Sequence, residues 1–376
     1  MRERRSALGR SAACLLALPL AGCEPTATIE DLGTLGGNSS IGLGINAAGN
    51  VTGSSFVSST DPHFGGMHAF RFVDGLGMVD LGAFQPGNVA EGDGINSSGF
   101  VVGGSIWSDG VIRAFHVNAI LTFRDLGTLG GEYSRARDIN DAGVVTGEAS
   151  NASGAVRAFV WTVADGMRDL GTLGGSRSAG FSINQSGQVA GESTVGGGTA
   201  MVAFRFTEGV GMISLGTLSG GATSSARGIN DNGQVVGESD TGLVTEPFGQ
   251  FQGFHDLFGT HAFLWTEGSG MVDLGNLGGG QSSALAINNK GMVVGTSTVT
   301  NGTTRAFVWT QAGGMVDLNT LLPPGSGWVL EYAHDVNDRG QIAGEGLHNG
   351  QRRVFRYNPP EARAGRSGQR VGERAH

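Results

Sequence analysis

The 376-residue sequence has only two cysteines, Cys14 and Cys23, and both lie in its first 23 positions. The remaining chain can therefore form neither a disulfide framework nor a cysteine-ligated zinc site. Lysine occurs once, at Lys290, and the formal net charge is −9. Because nucleic-acid binding requires a basic surface, this charge balance excludes a nucleic-acid partner.

Proline and charged residues are scarce, whereas glycine is abundant. The chain has 9 prolines against 69 glycines, and charged residues make up 15% of it. A collagen-like chain would need far more proline. The glycines instead indicate many tight turns between short segments.

The first 22 residues are predicted to be a secretory signal peptide. Four arginines in the first ten positions precede an apolar run over 11–20, which has about half the length needed to span a bilayer. The phrase Leu-Ala-Gly-Cys at 20–23 matches the lipobox of bacterial lipoproteins residue for residue. This resemblance implies that Cys23 receives lipid, such as palmitate, and becomes the mature N-terminus.

Two short segments flank the body of the mature chain. Residues 23–27 are expected to be a tether to the lipid, and Glu24 after the cysteine favours the outer membrane or the cell surface as the final location. Residues 359–376 are rich in Arg, Gly, Ser and Glu and offer almost nothing to bury. They are predicted to be a disordered tail.

The phrase Ile-Asn-x-x-Gly recurs along the chain and defines an internal repeat. Its asparagines are Asn46, Asn96, Asn140, Asn184, Asn230, Asn288 and, with Val in place of Ile, Asn337. Their mean spacing is about 48 residues, which is the length that a four-stranded propeller blade needs.

Turn chemistry divides each unit into four strands, with segments of four to seven residues in the best-written copy. Asn followed three residues later by Gly is typical of a type I turn closed by a glycine with positive φ. A second hairpin should join the third and fourth strands. In the sixth unit we expect Thr310 to pair with Met315, which would set Trp309 opposite Val316.

The two ends of the repeated region predict how the units close. An extended segment over 28–33 precedes the first Asn turn, and the last unit stops near Tyr357 without a fourth strand. The sequence therefore predicts an all-β fold over 28–358, a seven-bladed β-propeller with four strands per blade and a ring closed by the N-terminal strand. An open β-solenoid, which needs no closing strand, is the alternative.

The units resemble the HAF-repeat family of extracellular bacterial repeat proteins. The phrase Asp-Leu-Gly-Thr-Leu-Gly-Gly is intact at 31–37, 125–131 and 169–175. His-Ala-Phe is literal at His68 and His261, and Arg replaces the His at Arg113, Arg157 and Arg305. The resemblance covers nearly the whole mature chain. It implies extracellular repeats and carries no established activity for single residues.

The repeated Asn, Gly and Asp residues are expected to serve the turns. Asn-Asp-x-Gly phrases are similar to calcium loops, but other copies have Ala47, Ser97 or Gln185 in place of the acid, and calcium needs six to eight oxygen ligands. No metal site and no cofactor are predicted. The glycine-rich phrases precede strands, so they cannot cradle phosphate at a helix N-terminus.

Two insertions hold the candidate ligand-binding residues. His255 and Asp256 lie in the longest insertion, over 241–258, and Asp61 and His63 lie in another. Loops on a rigid scaffold are where binding residues concentrate. The repeat-position histidines at 68 and 261 are instead expected to pair or pack, because Arg is accepted there in other units.

The sequence thus predicts a monomeric, lipid-anchored protein of the cell envelope. Its function is predicted to be a binding or interaction platform for an unidentified glycan or protein ligand. The alternative is a secreted polysaccharide hydrolase or lyase with its site in the propeller mouth or the 241–258 insertion. No catalytic residue can be assigned, so the enzyme is the less favoured hypothesis. A calcium-dependent adhesin is a third.

Overall fold

The computed structural model describes residues 27–57, 66–84, 89–118, 120–242 and 259–360. In this part of the chain, 28 strands form seven antiparallel sheets of four strands each. The last sheet is completed by the first strand of the chain, in the order β1-β28-β27-β26. The prediction of a seven-bladed propeller closed by its N-terminal strand is confirmed, and the open solenoid is wrong.

The blades follow one another along the chain, and each has four strands. Blade one comprises β2 (Gly36–Ile45), β3 (Val51–Val57), β4 (Met67–Val73) and β5 (Gly77–Gly82), and blade two comprises β6 (Ala90–Ile95), β7 (Val101–Ile106), β8 (Ile112–Val117) and β9 (Phe123–Asp125). Blade three comprises β10 (Gly130–Ile139), β11 (Val145–Asn151), β12 (Val156–Thr162) and β13 (Gly166–Asp169), and blade four comprises β14 (Gly174–Ile183), β15 (Val189–Val195), β16 (Met201–Thr207) and β17 (Gly211–Gly216). Blade five comprises β18 (Ser224–Ile229), β19 (Val235–Asp240), β20 (Thr260–Thr266) and β21 (Gly270–Asp273). Blade six comprises β22 (Gly278–Ile287), β23 (Val293–Val299), β24 (Thr304–Thr310) and β25 (Gly314–Asp317). Blade seven comprises β26 (Trp328–Val336), β27 (Ile342–His348), β28 (Gln351–Asn358) and β1 (Thr28–Asp31).

A short 3₁₀ helix, Leu318–Leu321, follows β25 and was not expected from the sequence. The Asp317 side chain caps it by accepting a hydrogen bond from the Asn319 N–H at 2.9 Å. Within the described ranges, no helix is long and apolar enough to cross a bilayer.

The first strands of several blades are longer than the predicted four to seven residues. Strand β2 has ten residues, and Gly36 at its start already pairs with Val57. The register then shifts before Ser40 pairs with Ser55. The two glycines of the Leu-Gly-Gly phrase therefore belong to the first strand and not to the loop before it. They continue into the first strand through a β-bulge, in which four positions of β2 match two positions of β3.

The predicted register of the last two strands in blade six is wrong by one residue. Thr310 pairs with Gly314 and Trp309 with Met315. The loop has three residues rather than four because Gly314, at φ 65°, takes the left-handed conformation and already belongs to the fourth strand. Pairing each residue one position earlier moves the partner side chains to the other face of the sheet.

The Phe of the His-Ala-Phe phrase forms the core of every blade. The seven residues, Phe70, Phe115, Phe159, Phe204, Phe263, Phe307 and Phe355, are all fully buried. Each lies between its own blade and a neighbour, as in the cluster that joins Leu81 of blade one to Val101 of blade two. Burying one such side chain contributes roughly 1.5–3 kcal/mol, so the repeated Phe is the main reason why consecutive blades pack together.

Glycine is required in the second strand of each blade, in the Val-x-Gly phrase of six blades and the Ile-Ala-Gly phrase of blade seven. At Gly147, an added Cβ would overlap the Arg135 carbonyl oxygen of the first strand and lie 2.9 Å from the Phe159 ring. The corresponding glycines of the other six blades meet the equivalent carbonyl in the same way. This close approach leaves space for the core Phe beneath the strand.

Candidate functional site

The first strands of the seven blades surround an axial channel. Its open cavity has a volume of about 380 Å³ and is lined by the last first-strand residues and the Asn hairpin residues of every blade. We name the opening at the Asn hairpins the turn mouth, and the ring surface around it the turn face. The opposite opening, where segments such as 126–129 enter the first strands, is the link mouth, and its surface is the link face.

The repeated asparagines close a hydrogen-bonded ring at the turn mouth. Within its own hairpin, Asn288 Oδ1 accepts the N–H groups of Lys290 and Met292, both at 3.0 Å. Its Nδ2 donates to the carbonyl oxygen of Asn337 in the next blade at 3.0 Å. All seven asparagines repeat this donation, with distances of 2.9–3.2 Å, and Asn337 completes the ring by donating to Asn46. Each side chain is thus both a turn cap and a clasp between blades.

The hairpin glycines adopt the predicted conformation. The glycine three residues after each Asn has φ between 73° and 89°. In the hairpin of Asn230, the Asn N–H donates to the Gln234 carbonyl oxygen at 3.1 Å, and the Asn carbonyl oxygen accepts the Gly233 N–H at 3.0 Å. The left-handed region is cheap only for glycine. The glycine of the Asn-x-x-Gly phrase is therefore explained by its backbone conformation.

The acids that follow some of these asparagines also link blades. Asp141 Oδ1 accepts the Ser97 N–H at 2.8 Å, Asp231 Oδ1 accepts the Gln185 N–H at 2.9 Å, and Asp338 Oδ1 accepts the Asn289 N–H at 2.8 Å. Among the described residues, no group of three or more His, Cys, Asp or Glu side chains is placed to hold a metal ion. The calcium-like phrases thus have a structural use in the ring.

The side chains that line the channel do not follow the repeat. The residues three positions before the asparagines are Leu43, Asp93, Arg137, Phe181, Arg227, Leu285 and His334, and all of them line the cavity. Blades one and six contribute leucine, whereas blades two to five and blade seven contribute charged, aromatic or imidazole groups. The side chains at this lining position therefore differ between blades, as a ligand site on a repeated scaffold requires.

Arg135 joins blades two and three across the channel wall. Its Nε donates to Asp93 Oδ2 at 2.9 Å and its Nη2 donates to Asp93 Oδ1 at 2.8 Å. Nη2 also pairs with Glu91. Burial disfavours the charged guanidinium, but the two carboxylates outweigh it and raise the pKa of Arg135. This bidentate pair is firmly held.

Glu148 is the centre of a second cluster, nearer the link mouth. Its Oε1 accepts Arg137 Nη2 at 2.8 Å and the Tyr133 hydroxyl at 3.0 Å, and its Oε2 accepts Arg177 Nη2 at 3.4 Å. The Glu148 side chain is 5% exposed, whereas that of Arg177 is 52% exposed. Burial alone would raise the pKa of Glu148, but Arg137 outweighs burial and lowers it. Arg177 is the loosest cation of the cluster.

Phe181 lies between two guanidinium groups in the channel. The Arg227 Cζ is 4.6 Å from the ring centroid and the Arg137 Cζ is 5.7 Å from it. Arg227 Nη2 also donates to Glu238 at 2.8 Å. These cation–π contacts connect blades three, four and five.

Blade seven carries a further charged cluster. Arg352 donates to Glu345 Oε2 at 2.9 Å and pairs with Glu331 Oε2 at 2.9 Å. His334 Nε2 is 3.7 Å from Glu345 Oε1. Burial would raise the pKa of Glu345, but the His334 and Arg352 partners lower it. The channel therefore offers both hydrogen-bond donors and acceptors on several sides.

Two half-buried carboxyl groups join neighbouring blades, and neither has a cationic partner among the residues that the structure describes. Asp138 Oδ2 accepts the Ile183 N–H at 2.9 Å, and Asp335 Oδ2 accepts the Ile45 N–H at 2.8 Å across the ring closure. Burial raises the pKa of Asp138 to about 6 and that of Asp335 to about 7. These hydrogen bonds favour the charged form but do not offset the burial.

These two groups predict how stability depends on pH. Because their pKa values are above those of the unfolded chain, the unfolded state loses protons first as pH rises, so the free energy of unfolding should fall between about pH 4 and pH 7. The expected loss is at most about 3 kcal/mol for Asp138 and about 4 kcal/mol for Asp335. Urea unfolding at pH 5 and pH 8 measures it, and Asp335→Asn should reduce the difference. Equal stability at both pH values would show that neither carboxyl titrates as described.

The first residue of the His-Ala-Phe phrase pairs with the Asp of the Asp-Leu-Gly phrase on the adjacent strand. His68 Nδ1 is 2.9 Å from Asp80 Oδ1, and His261 Nδ1 is 2.8 Å from Asp273 Oδ2. Where Arg replaces His, Arg157 Nε is 3.9 Å from the Asp of its own blade. Surface pairing thus accounts for both histidines, as expected from the acceptance of Arg there.

The candidate binding residues Asp61, His63, His255 and Asp256 lie outside the described residues, as does Cys23. The ends of the longer insertion are described. The Thr241 N–H donates to the Gly259 carbonyl at 3.0 Å, and the Asp240 carboxylate accepts the N–H groups of Ala222 and Thr223 at 2.8–3.0 Å. By strand topology this junction lies on the link face. The channel residues could not be predicted from the sequence, because the side chains at the lining positions differ from blade to blade.

Solved structures share the propeller fold at low sequence identity. A puromycin hydrolase S511A mutant complexed with PGG is 13% identical, with a TM-score of 0.51, and the match covers 84% of this chain and 51% of that chain. A virginiamycin B lyase from Staphylococcus aureus is 12% identical, with a TM-score of 0.47 and coverage of 88% and 99%. A lectin from Burkholderia pseudomallei is 9% identical, with a TM-score of 0.41 and coverage of 90% and 99%. This likeness shows the fold alone.

No protein-family model matches the chain, and no curated protein matches it.

Proposed function

We propose that the protein is an exported propeller of the HAF-repeat type, anchored by lipid at Cys23, that binds a hydroxyl-rich ligand such as a glycan at the link mouth. The observation that carries the proposal is the cluster of Glu148, Arg137 and Arg177, in which Arg137 lines the cavity and the Arg177 side chain is half exposed. Glutamate recurs at the position of Glu148 in blades four, five and seven, as Glu192, Glu238 and Glu345. Arginine at the position of Arg177, seven residues before the repeated Asn, occurs in blade four alone.

The balance of charges in the channel favours a hydroxyl-rich ligand over a highly charged one. Each guanidinium has a carboxylate neighbour, as Arg227 has Glu238 and Arg352 has Glu345. A hydroxyl group donates and accepts hydrogen bonds, so it can use a carboxylate and a guanidinium side by side. Arg177, with its half-exposed side chain, is the group most free to turn toward such a ligand.

Binding to an oligosaccharide array tests this proposal. The mature protein should bind a subset of glycans, and Arg177→Ala should reduce the affinity roughly tenfold or more, because a charge-assisted hydrogen bond contributes about 1.5–3 kcal/mol. Arg168→Ala is the matched control, since the Arg168 side chain is 50% exposed but pairs with Glu208 away from the channel. No binding to any glycan, or an equal loss in both variants, would refute the proposal.

The lipid anchor is tested by metabolic labelling with radioactive palmitate. The wild-type chain should incorporate the label, and Cys23→Ala should abolish it. Cys14→Ala is the control, because the chain has no other cysteine and this position lies inside the predicted signal peptide. Label retained in Cys23→Ala would exclude lipidation at that cysteine.

The enzyme alternative is proposed in second place, because the 241–258 insertion begins and ends on the link face, as the Thr241–Gly259 hydrogen bond shows. If this alternative holds, a bound polysaccharide should be cleaved, and His255→Ala or Asp256→Asn should abolish turnover while leaving the melting temperature unchanged. Binding without turnover would leave the platform as the function.

A further inference from the structure

The described chain begins and ends on the turn face. Strand β1 begins at Thr28, which pairs with Asn358 at the end of β28. Asn358 Oδ1 accepts a hydrogen bond from Gln341 Nε2 at 2.7 Å, and Gln341 belongs to the last Asn hairpin. The segment that precedes Thr28 therefore leaves the ring on the turn face, at the outer edge of blade seven and beside blade one.

The distance from this edge to Cys23 is short. Four peptide units separate Cys23 from Ala27, the first described residue, and a fully extended chain spans at most about 3.6 Å per residue. A lipid on Cys23 would thus hold this edge within about 14 Å of the bilayer. Such a tether is too short to pass around the ring and place the link face against the membrane.

The turn face also carries exposed aliphatic side chains in four consecutive blades. The hairpins between third and fourth strands lie on this face, and their tips include Leu76 at 77% exposure, Ile120 at 81%, Val163 at 67% and Val210 at 72%. These are the hairpins of blades one to four, a series that starts next to the edge where β1 begins. The equivalent hairpin of blade five carries Ser269 instead.

We propose that the turn face is the membrane-facing side and that the aliphatic hairpin tips of blades one to four lie in the interface of an uncharged phospholipid bilayer. This inference rests on the proposed lipidation of Cys23. Asp74 and Glu208 in these hairpins are paired with Arg356 and Arg168. The hairpins therefore carry little net charge and offer an anionic surface no attraction, so the partner is a zwitterionic one. The link mouth then points away from the membrane.

Depth-dependent fluorescence quenching tests the proposed orientation. Because the described chain has no cysteine, single substitutions Leu76→Cys and Val163→Cys can carry an environment-sensitive fluorophore in the acylated protein. In phosphatidylcholine vesicles that contain nitroxide-labelled lipid, both positions should be quenched at least twofold. Glu132→Cys, an exposed position on the link face, is the control and should remain unquenched.

Two readings separate this inference from the lipid anchor. Palmitate incorporation and vesicle flotation report whether the anchor exists, and their loss would remove the proposed function's anchor. An acylated, floating protein whose Leu76 and Val163 positions are no more quenched than position 132 would overturn the orientation while the anchor stands. Melting temperatures of the three variants confirm that each remains folded.

Discussion

Deletion of the closing strand Thr28–Asp31 should lower the free energy of unfolding by about 4 kcal/mol or more and the melting temperature by about 10 °C. The strand pairs with β28 along its whole length, from Thr28 with Asn358 to Asp31 with Phe355. Glu30 also forms an ion pair with Arg356 at 2.9 Å. All of these interactions cross the ring closure.

The deletion would also expose a strand edge. Without β1, the N–H and C=O groups on the outer side of β28 have no partner, and an unpaired edge is a template for aggregation. Urea unfolding and light scattering measure the two effects. Removal of 361–376 is the matched control at the other end of the chain and should change neither. Unfolding that is unaffected by loss of the strand would show that the ring does not depend on this closure.

Replacement of Asn288 by Ala should lower the free energy of unfolding by about 2–4 kcal/mol, because one buried and two partly buried backbone groups are left without partners at up to about 1–3 kcal/mol each. Asn288 is 4% exposed. The substitution would orphan the N–H groups of Lys290 and Met292 and the carbonyl of Asn337. The loss interrupts the ring between blades six and seven.

The adjacent Asn289 is the matched control for this substitution. It belongs to the same hairpin, and its Nδ2 donates to Asp231 Oδ2 at 2.8 Å and Asp338 Oδ2 at 3.0 Å, but it is exposed. Water can replace these partners, so Asn289→Ala should cost less than about 1 kcal/mol. Urea unfolding of both variants gives the comparison. Equal losses would mean that burial in the Asn ring is not what stabilises the hairpins.

The architecture could be predicted from the sequence because every blade repeats its local signals. The Asn-x-x-Gly phrase specifies one hairpin, and the positions of the first and last strands specify the closure. The register of blade six was wrong because it depends on Gly314 starting the fourth strand with φ 65°. A sequence pattern does not show which of two adjacent glycines takes that conformation.

The candidate site could not be predicted because the ring brings together residues that are far apart in the chain. Arg135 meets Asp93 at a separation of 42 residues, and Arg177 meets Glu148 at a separation of 29. The positions that line the channel differ from blade to blade, so no periodic pattern reveals them. Once the first strand is known to face the axis, the lining residues can be found as those three positions before each repeated Asn.

The most direct test of the proposed function is a crystal structure of the mature chain with the oligosaccharide that binds best in the array. The ligand should lie in the link half of the channel, within hydrogen-bond distance of Arg177 or of the carboxylates beside it. A ligand bound at the turn mouth or on the outer strands, away from Glu148 and Arg177, would contradict the proposal.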